Sequence, residues 1–193
     1  DVEVIFIDDG STDDTLAMLR SFSTNDPRVR CLSQACAGPA AARNAGIGAA
    51  AGAFLAFLDV EDTWPPGMLQ RARECFEQNP AASVVGGLVQ IRWAGSMPPE
   101  SSALRHPHRR VNLGAHVFRA GVFAQLGPFD ASLEYGEDVE YLARVRQSHM
   151  QIHQVDEVAL FYNQHGANMT AGRGTHELGL FEALSRLLRR GRT

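Results

Sequence analysis

The stretch Phe54-Leu55-Ala56-Phe57-Leu58-Asp59-Val60-Glu61-Asp62 sets three carboxylates within four residues, directly after five apolar residues. Like charges this close repel one another unless a cation or donor groups join them. Hard divalent cations take oxygen ligands, and Mg2+ commonly uses one or two carboxylates together with substrate phosphates. Asp59, Glu61 and Asp62 are therefore candidate ligands for a metal–diphosphate group. An acidic, solvated loop after a strand has the same pattern, and this stretch alone does not separate the two readings.

Other residue pairs carry related chemistry. Asp8 and Asp9 end the apolar run Val4-Ile5-Phe6-Ile7 and precede Gly10-Ser11-Thr12-Asp13. A carboxylate there can accept a hydrogen bond from a ligand, such as a nucleobase N–H, or can serve only to cap. Glu137-Asp138 falls where helical spacing begins. Two acids suit the positive end of that helix, or one of them faces the metal crevice as a general base. Arg43 can pair with phosphate or with one of the carboxylates, and His165 can be a metal ligand, a phosphate contact or a structural histidine.

The elements that must position these residues follow from periodicity. The apolar runs at Val2–Ile7 and Phe54–Leu58 predict buried strands, the second covered on both faces as in a parallel sheet. Ser11, Thr12 or Asp13 is expected to cap a helix through Leu16, Leu19 and Phe22. Val29–Leu32 is a short strand. Pro39 opens an alanine-rich helix that Gly52 follows. Gly46-Ile47-Gly48 does not open a helix after a strand, so it is no dinucleotide fingerprint. Met68 to Phe76 has helical spacing, and Ser83–Trp93 predicts one or two strands. Strand and helix thus alternate, which predicts an α/β fold with a mostly parallel sheet.

Ala94 to Arg110 lacks a period and has the length of a lid or binding loop. His106, His108, Arg109 and Arg110 make it a candidate for acceptor binding, and a disordered surface loop fits the same composition equally well. Leu113–Phe118, Gln151–Val155 and Val158–Tyr162 read as strands, with a short helix at Arg119–Gly127 between the first two. Glu177 to Arg192 is amphipathic: Leu178, Phe181, Leu184 and Leu187 lie opposite a set of arginines. Such a segment can touch a membrane surface or pack on the domain.

Composition narrows the function classes. The 193 residues, 45% hydrophobic and 21% charged, suit one globular domain. A net charge of -4 argues against nucleic-acid binding through a basic field. No apolar run reaches the ~20 residues that cross a bilayer. Cys31, Cys36 and Cys75 cannot all pair and lack zinc spacing, which points to a reducing, cytoplasmic setting. All 18 basic residues are arginines. Schiff-base chemistry and the P-loop lysine are therefore excluded.

In their order the motifs resemble the family 2 glycosyltransferases. The residues that carry the resemblance are Val4–Asp13, Gly38–Gly46, Phe57–Trp64, Gly127-Pro128-Phe129-Asp130, Gly136-Glu137-Asp138, and Tyr162 with His165–Thr170. The resemblance implies a nucleotide-sugar-binding GT-A fold: a mostly parallel central sheet with helices on both faces and a smaller acceptor-side region. Residues 1–93 would bind the nucleotide sugar, and residues 94–193 would hold the acceptor and catalytic groups. It implies metal-assisted, inverting transfer from a nucleoside-diphosphate sugar to an acceptor hydroxyl, with Mn2+ or Mg2+ as cofactor. The acceptor (a saccharide, a lipid-linked sugar or a protein) stays open, and the setting is the cytoplasm or its membrane surface.

By the same resemblance Asp9, with Asp8 beside it, contacts the nucleobase, and Asp59 and Glu61 match the family's DXD signature. Asp62 follows that signature, Asp138 matches the base with Glu137 beside it, and His165 lies near the diphosphate and metal. Glu61 replaces the usual second Asp of the signature, and Asn163-Gln164 stand where the family often has Arg. The family's opening strand and helix are not seen before Asp1. A non-catalytic nucleotide-sugar-binding module, or an inactive fragment, is therefore the competing expectation.

Overall fold

Val4–Asp8 (β1) and Val29–Ser33 (β2) pair in parallel, Val4 opposite Val29 through Asp8 opposite Ser33, with helix α1 (Thr15–Asn25) crossing between them. The structure, a computed structural model, describes residues 1–95 and 104–165. The chain continues through α2 (Pro39–Ala49), β3 (Phe54–Ala56), α3 (Met68–Gln78) and the long β4 (Ala82–Trp93). A 3-10 turn (Leu113–Ala115), β5 (His116–Arg119), α4 (Gly121–Leu126), α5 (Glu137–Gln147) and β6 (Gln151–Gln164) complete it. The amphipathic stretch expected at 177–192 and the Gly166–Thr170 part of the late motif lie outside the described residues.

The later strands form a second sheet in the order β3-β5-β4-β6. β4 and β6 run parallel, whereas β5 lies antiparallel to both β3 and β4. Helices cover both faces. Met68, Ala72 and Phe76 of α3 pack on Val85, Val89 and Leu160. On the other face, Ala40, Val122, Tyr141 and Val145 from α2, α4 and α5 pack on Val84 and Phe118. Each such side chain taken fully from water is worth roughly 1.5–3 kcal/mol before entropy is counted. The fold class expected from alternating strands and helices is the one observed.

Several local expectations change. The run Phe54–Leu58 is not buried on both faces: only three residues form β3, and Phe54 and Leu58 are 37% and 42% exposed. Among the described residues β3 has a strand neighbour only on its β5 side, and Phe57 leaves the ladder for an aromatic cluster. Among the described residues β1 likewise pairs only with β2, and Val4 is exposed at its start. Helix α1 begins later than its capping signals suggest. Asp13 Oδ1 accepts from the N–H of Thr15 at 3.0 Å, and Asp14 at the cap position makes no side-chain cap. The two short strands expected at Gln151–Val155 and Val158–Tyr162 are one strand. It bulges between Gln154 and Val158 opposite Gly86 and Leu88, which carries Asp156 and Glu157 out of the apolar pattern. The end of the Ala94–Arg110 loop is pinned to β4, since His108 and Val89 exchange both backbone hydrogen bonds.

Among the described residues no helix is long and apolar enough to cross a membrane.

Candidate active site

The aromatic cluster fixes where the acids meet. Phe57, two residues before Asp59, sits edge-on to Phe118, Phe123 and Phe129 at centroid distances of 6.1, 5.7 and 5.5 Å. Tyr141, one turn beyond Glu137, stacks on Phe123 at 5.1 Å and lies 4.4 Å from Phe129. Such pairs add about 0.5–1.5 kcal/mol each beyond area burial. The cluster therefore holds the exit of β3 against the first turn of α5.

Helix α2 is locked to the same place. Asn44 exchanges two hydrogen bonds with the backbone of Phe129, both 2.9 Å. Its neighbour Arg43 donates from Nη2 to Asp59 Oδ1 at 3.1 Å and from Nη1 to Glu137 Oε1. Arg43 and Glu137 are 17% and 7% exposed at the side chain, whereas Asp59 is 55% exposed. Gly136 precedes Glu137 with φ at +77°, the left-handed turn that starts α5 at this point.

Asp138 is half-buried and accepts from the N–H of Val139 at 2.7 Å. Burial, then the charge of Glu137, pushes its pKa up to about 6, against the pull of the Val139 N–H and Arg43; Asp59 adds to the rise. Asp59 is thus close enough to act on Asp138 electrostatically.

The acidic stretch divides in two. Asp59 and Glu61 keep exposed carboxylates, and Glu61 Oε2 lies 3.0 Å from His165 Nε2. Asp62 is buried, and its Oδ1 accepts from the N–H of Asn163 on β6 at 2.9 Å. Burial pushes Asp62 up to about 6, opposed by that N–H and aided by Asp59 and Glu61. Among the described residues no three His, Cys, Asp or Glu side chains converge as a ready metal cage. The donor set still fits an ion that draws the rest of its shell from phosphates. Asp59 and Glu61 supply two open carboxylates, one residue apart, beside an imidazole.

Asp8 and Asp9 are held within the protein. Asp8 accepts from Ser33 Oγ at 3.0 Å and from the N–H of Ser11 at 3.3 Å; the Ser11 side chain first, then Ser33 and the loop N–H groups, lower its pKa against burial. Asp9 accepts from Gln34 Nε2 and from the N–H groups of Ala37 and Gly38, all at 2.8–2.9 Å. Burial alone would raise Asp9, but these donors bring it below the usual carboxylate range. Asp9 therefore organises the entry to α2, while Asp8 ties the end of β2 to the turn after β1. Sequence reasoning missed Asn44 and Phe57, which position Arg43 and Asp59. The signal for Phe57 was present, since it is the last aromatic residue before the carboxylates.

The fold matches solved structures of S. aureus TarS. The structure with UDP-GlcNAc superposes with a TM-score of 0.74 at 18% identity, covering 96% of this chain and 56% of that one. In sequence, the uncharacterized glycosyltransferase EpsJ of Bacillus subtilis is 24% identical over 188 residues, 88% of this chain and 55% of that protein. The succinoglycan biosynthesis protein ExoO of Rhizobium meliloti is 47% identical over 74 residues, 38% of this chain and 21% of that protein. The chain thus spans about half or less of the length of these relatives. The model of glycosyl transferase family 2 matches residues 1–126, most of the chain. The chain belongs to glycosyl transferase family 2.

Proposed function

We propose that the protein transfers a sugar from a nucleoside-diphosphate sugar to an acceptor hydroxyl with inversion at the anomeric carbon. The observation that carries this reading is the Arg43 bridge between Asp59 and Glu137, with half-buried Asp138 next to it. Asp138 takes the proton from the acceptor hydroxyl. The oxygen attacks the anomeric carbon from the face opposite the diphosphate, and the bond to the diphosphate oxygen breaks, its electron pair leaving with the nucleotide. General-base help of this kind is worth ~10²–10⁴-fold.

Asp59 and Glu61 would hold Mg2+ or Mn2+ on the donor diphosphate, with His165 beside them. That ion supplies charge that offsets the negative charge growing on the leaving group. Arg43 orients Glu137 and keeps the acids of α5 close to Asp59. The UDP-GlcNAc complex of TarS supports a nucleotide-sugar donor. Metal-dependent release of nucleoside diphosphate from a panel of sugar donors tests the reading. No release from any donor with either metal would overturn it.

A second reading, a nucleotide-sugar-binding module without catalysis, has one observation in its favour. The two acids that would hold the metal already have protein partners, Asp59 in Arg43 and Glu61 in His165. Binding of a nucleoside diphosphate with no turnover would favour it.

A further inference from the structure

On the α5 face of the second sheet lies a cavity of about 310 Å³ that the mechanism above does not use. Arg109 and Arg110 reach it from the segment before β5, Arg146 from the last turn of α5, and His116, Gln154 and Ile152 from the sheet. Three guanidinium groups therefore border one concavity. Arg109 donates to Gln154 Oε1 at 2.5 Å and to the exposed Asp156 at 2.6 Å. Arg110 lies over the ring of Tyr162 at 5.2 Å.

The floor of this cavity is built, not merely solvated. His116 is 3% exposed, and its Nδ1 lies 2.8 Å from the carbonyl oxygen of Asn112. A carbonyl only accepts, so Nδ1 carries the proton and, in the neutral ring, Nε2 is an acceptor. The fit depends on Gly86. A Cβ there would sit 2.6 Å from His116 Cδ2 and 2.8 Å from Gln154 Nε2. Burial, opposed by the Asn112 carbonyl, lowers the pKa of His116, and the charges of Arg146 and Arg109 lower it further. Burial first, and the nearby arginine charges second, thus favour the neutral imidazole.

Arg109 is offset by its ion pair with Asp156, but Arg110 and Arg146 border the same concavity, and an anion between them relieves the cost of their repulsion. A lone carboxylate is satisfied by one guanidinium fork, whereas a phosphate has oxygens for several. Arg146 lies eight residues beyond Asp138 on α5, about 12 Å along the axis at 1.5 Å per residue. We propose that this cavity, whose Arg146 stands about two turns along α5 from Asp138, binds a phosphate group carried by the acceptor. A hydroxyl beside that phosphate donates to His116 Nε2. The role of the carrier rests on the transferase reading; the binding of phosphate does not.

The test is equilibrium binding of inorganic phosphate at low ionic strength to the wild type and to the Arg110→Gln/Arg146→Gln double variant. The expected result is saturable binding that weakens about tenfold or more in the variant, since two charge-assisted contacts are lost. Both chains should show the same thermal midpoint without phosphate. No saturable binding by the wild type, or equal binding by both proteins, overturns the proposal. Competition between a nucleoside diphosphate and phosphate for this cavity also overturns it, by giving the site to the donor. In transfer assays with an oligosaccharide bearing or lacking a phosphodiester, the double variant should raise KM for the phosphorylated acceptor alone and leave kcat unchanged. Equal KM values overturn the acceptor role. Arginine-dependent phosphate binding without any transfer overturns the transferase reading and keeps the anion site.

Discussion

Asp59 at the exit of β3 and Glu137 at the start of α5 share one guanidinium, that of Arg43. The bridge is asymmetric: the Glu137 end is buried, while Asp59 keeps half its side chain open. Such an arrangement leaves Asp59 free to meet a ligand and fixes the acids of α5 behind it.

Arg43→Met should therefore destabilise the protein. Removing one member of a buried pair strands the other charge, at about 2–4 kcal/mol once the exposure of Asp59 is discounted. The loss should depend on pH. Asp138, already raised to about 6, loses a lowering charge and moves higher. A carboxylate raised in the folded state binds protons more tightly there than in the unfolded chain. Stability is then lost as pH rises through that window, so the penalty should be small near pH 4 and full above about pH 7. Urea denaturation at the two pH values checks this, and a pH-independent penalty would contradict the bridge.

Asp138 must be ionised to accept a proton. With its pKa at about 6 in the free protein, kcat/KM should rise through pH 6 and level off above pH 7. Asp138→Asn should lower kcat by ~10²–10⁴-fold, leave the affinity for nucleoside diphosphate nearly unchanged, and remove the acid limb. Steady-state rates from pH 5 to 8, with calorimetric binding of the nucleotide, provide the check. A variant at the wild-type rate would mean another base.

The carboxylates themselves were legible because chemistry writes them at element ends: Asp59 after an apolar run, Glu137 where helical spacing starts. Their meeting was not legible. Arg43 suited phosphate or carboxylate equally from its type alone, and only the Asn44 bonds to Phe129 and the ring contacts of Phe57 and Tyr141 decide the matter. Those are contacts between residues far apart in sequence, on which periodicity is silent. The same limit hides the edge position of β3. A run of apolar residues tells of burial, but here Phe57 is only half-buried, against the aromatic cluster, after leaving the ladder. The division of β6 at Asp156 and Glu157 misled for a related reason, since a bulge interrupts alternation without ending a strand.

Glu61 offers a test of the metal assignment. Its pair with His165 is partly exposed on both sides, so losing it changes stability by only ~0–1 kcal/mol. Glu61→Gln keeps the size of the side chain but removes a charged oxygen ligand. The Mn2+ concentration giving half-maximal release of nucleoside diphosphate should rise about tenfold or more, with the thermal midpoint unmoved. Glu61→Asp should recover most of the metal response. Unchanged metal dependence in Glu61→Gln would remove this residue from the ligand set.

Gly87 sits on β4 opposite the bulge of β6. A Cβ there would lie 2.6 Å from the Cβ of Ala159 and 2.8 Å from the carbonyl oxygen of Glu157. Neither atom is the end of a flexible chain, so the backbone must shift. Gly87→Ala should therefore cost about 1–3 kcal/mol, the usual range for overpacking, despite the better strand propensity of alanine. Trimming the neighbour at the same time with Ala159→Gly removes one of the two clashes but not the carbonyl contact. The double variant should recover only part of the loss. Chemical denaturation of the two single variants and the double variant measures the coupling. Full recovery would show that the side chain of Ala159, not the bulge backbone, sets the limit at Gly87.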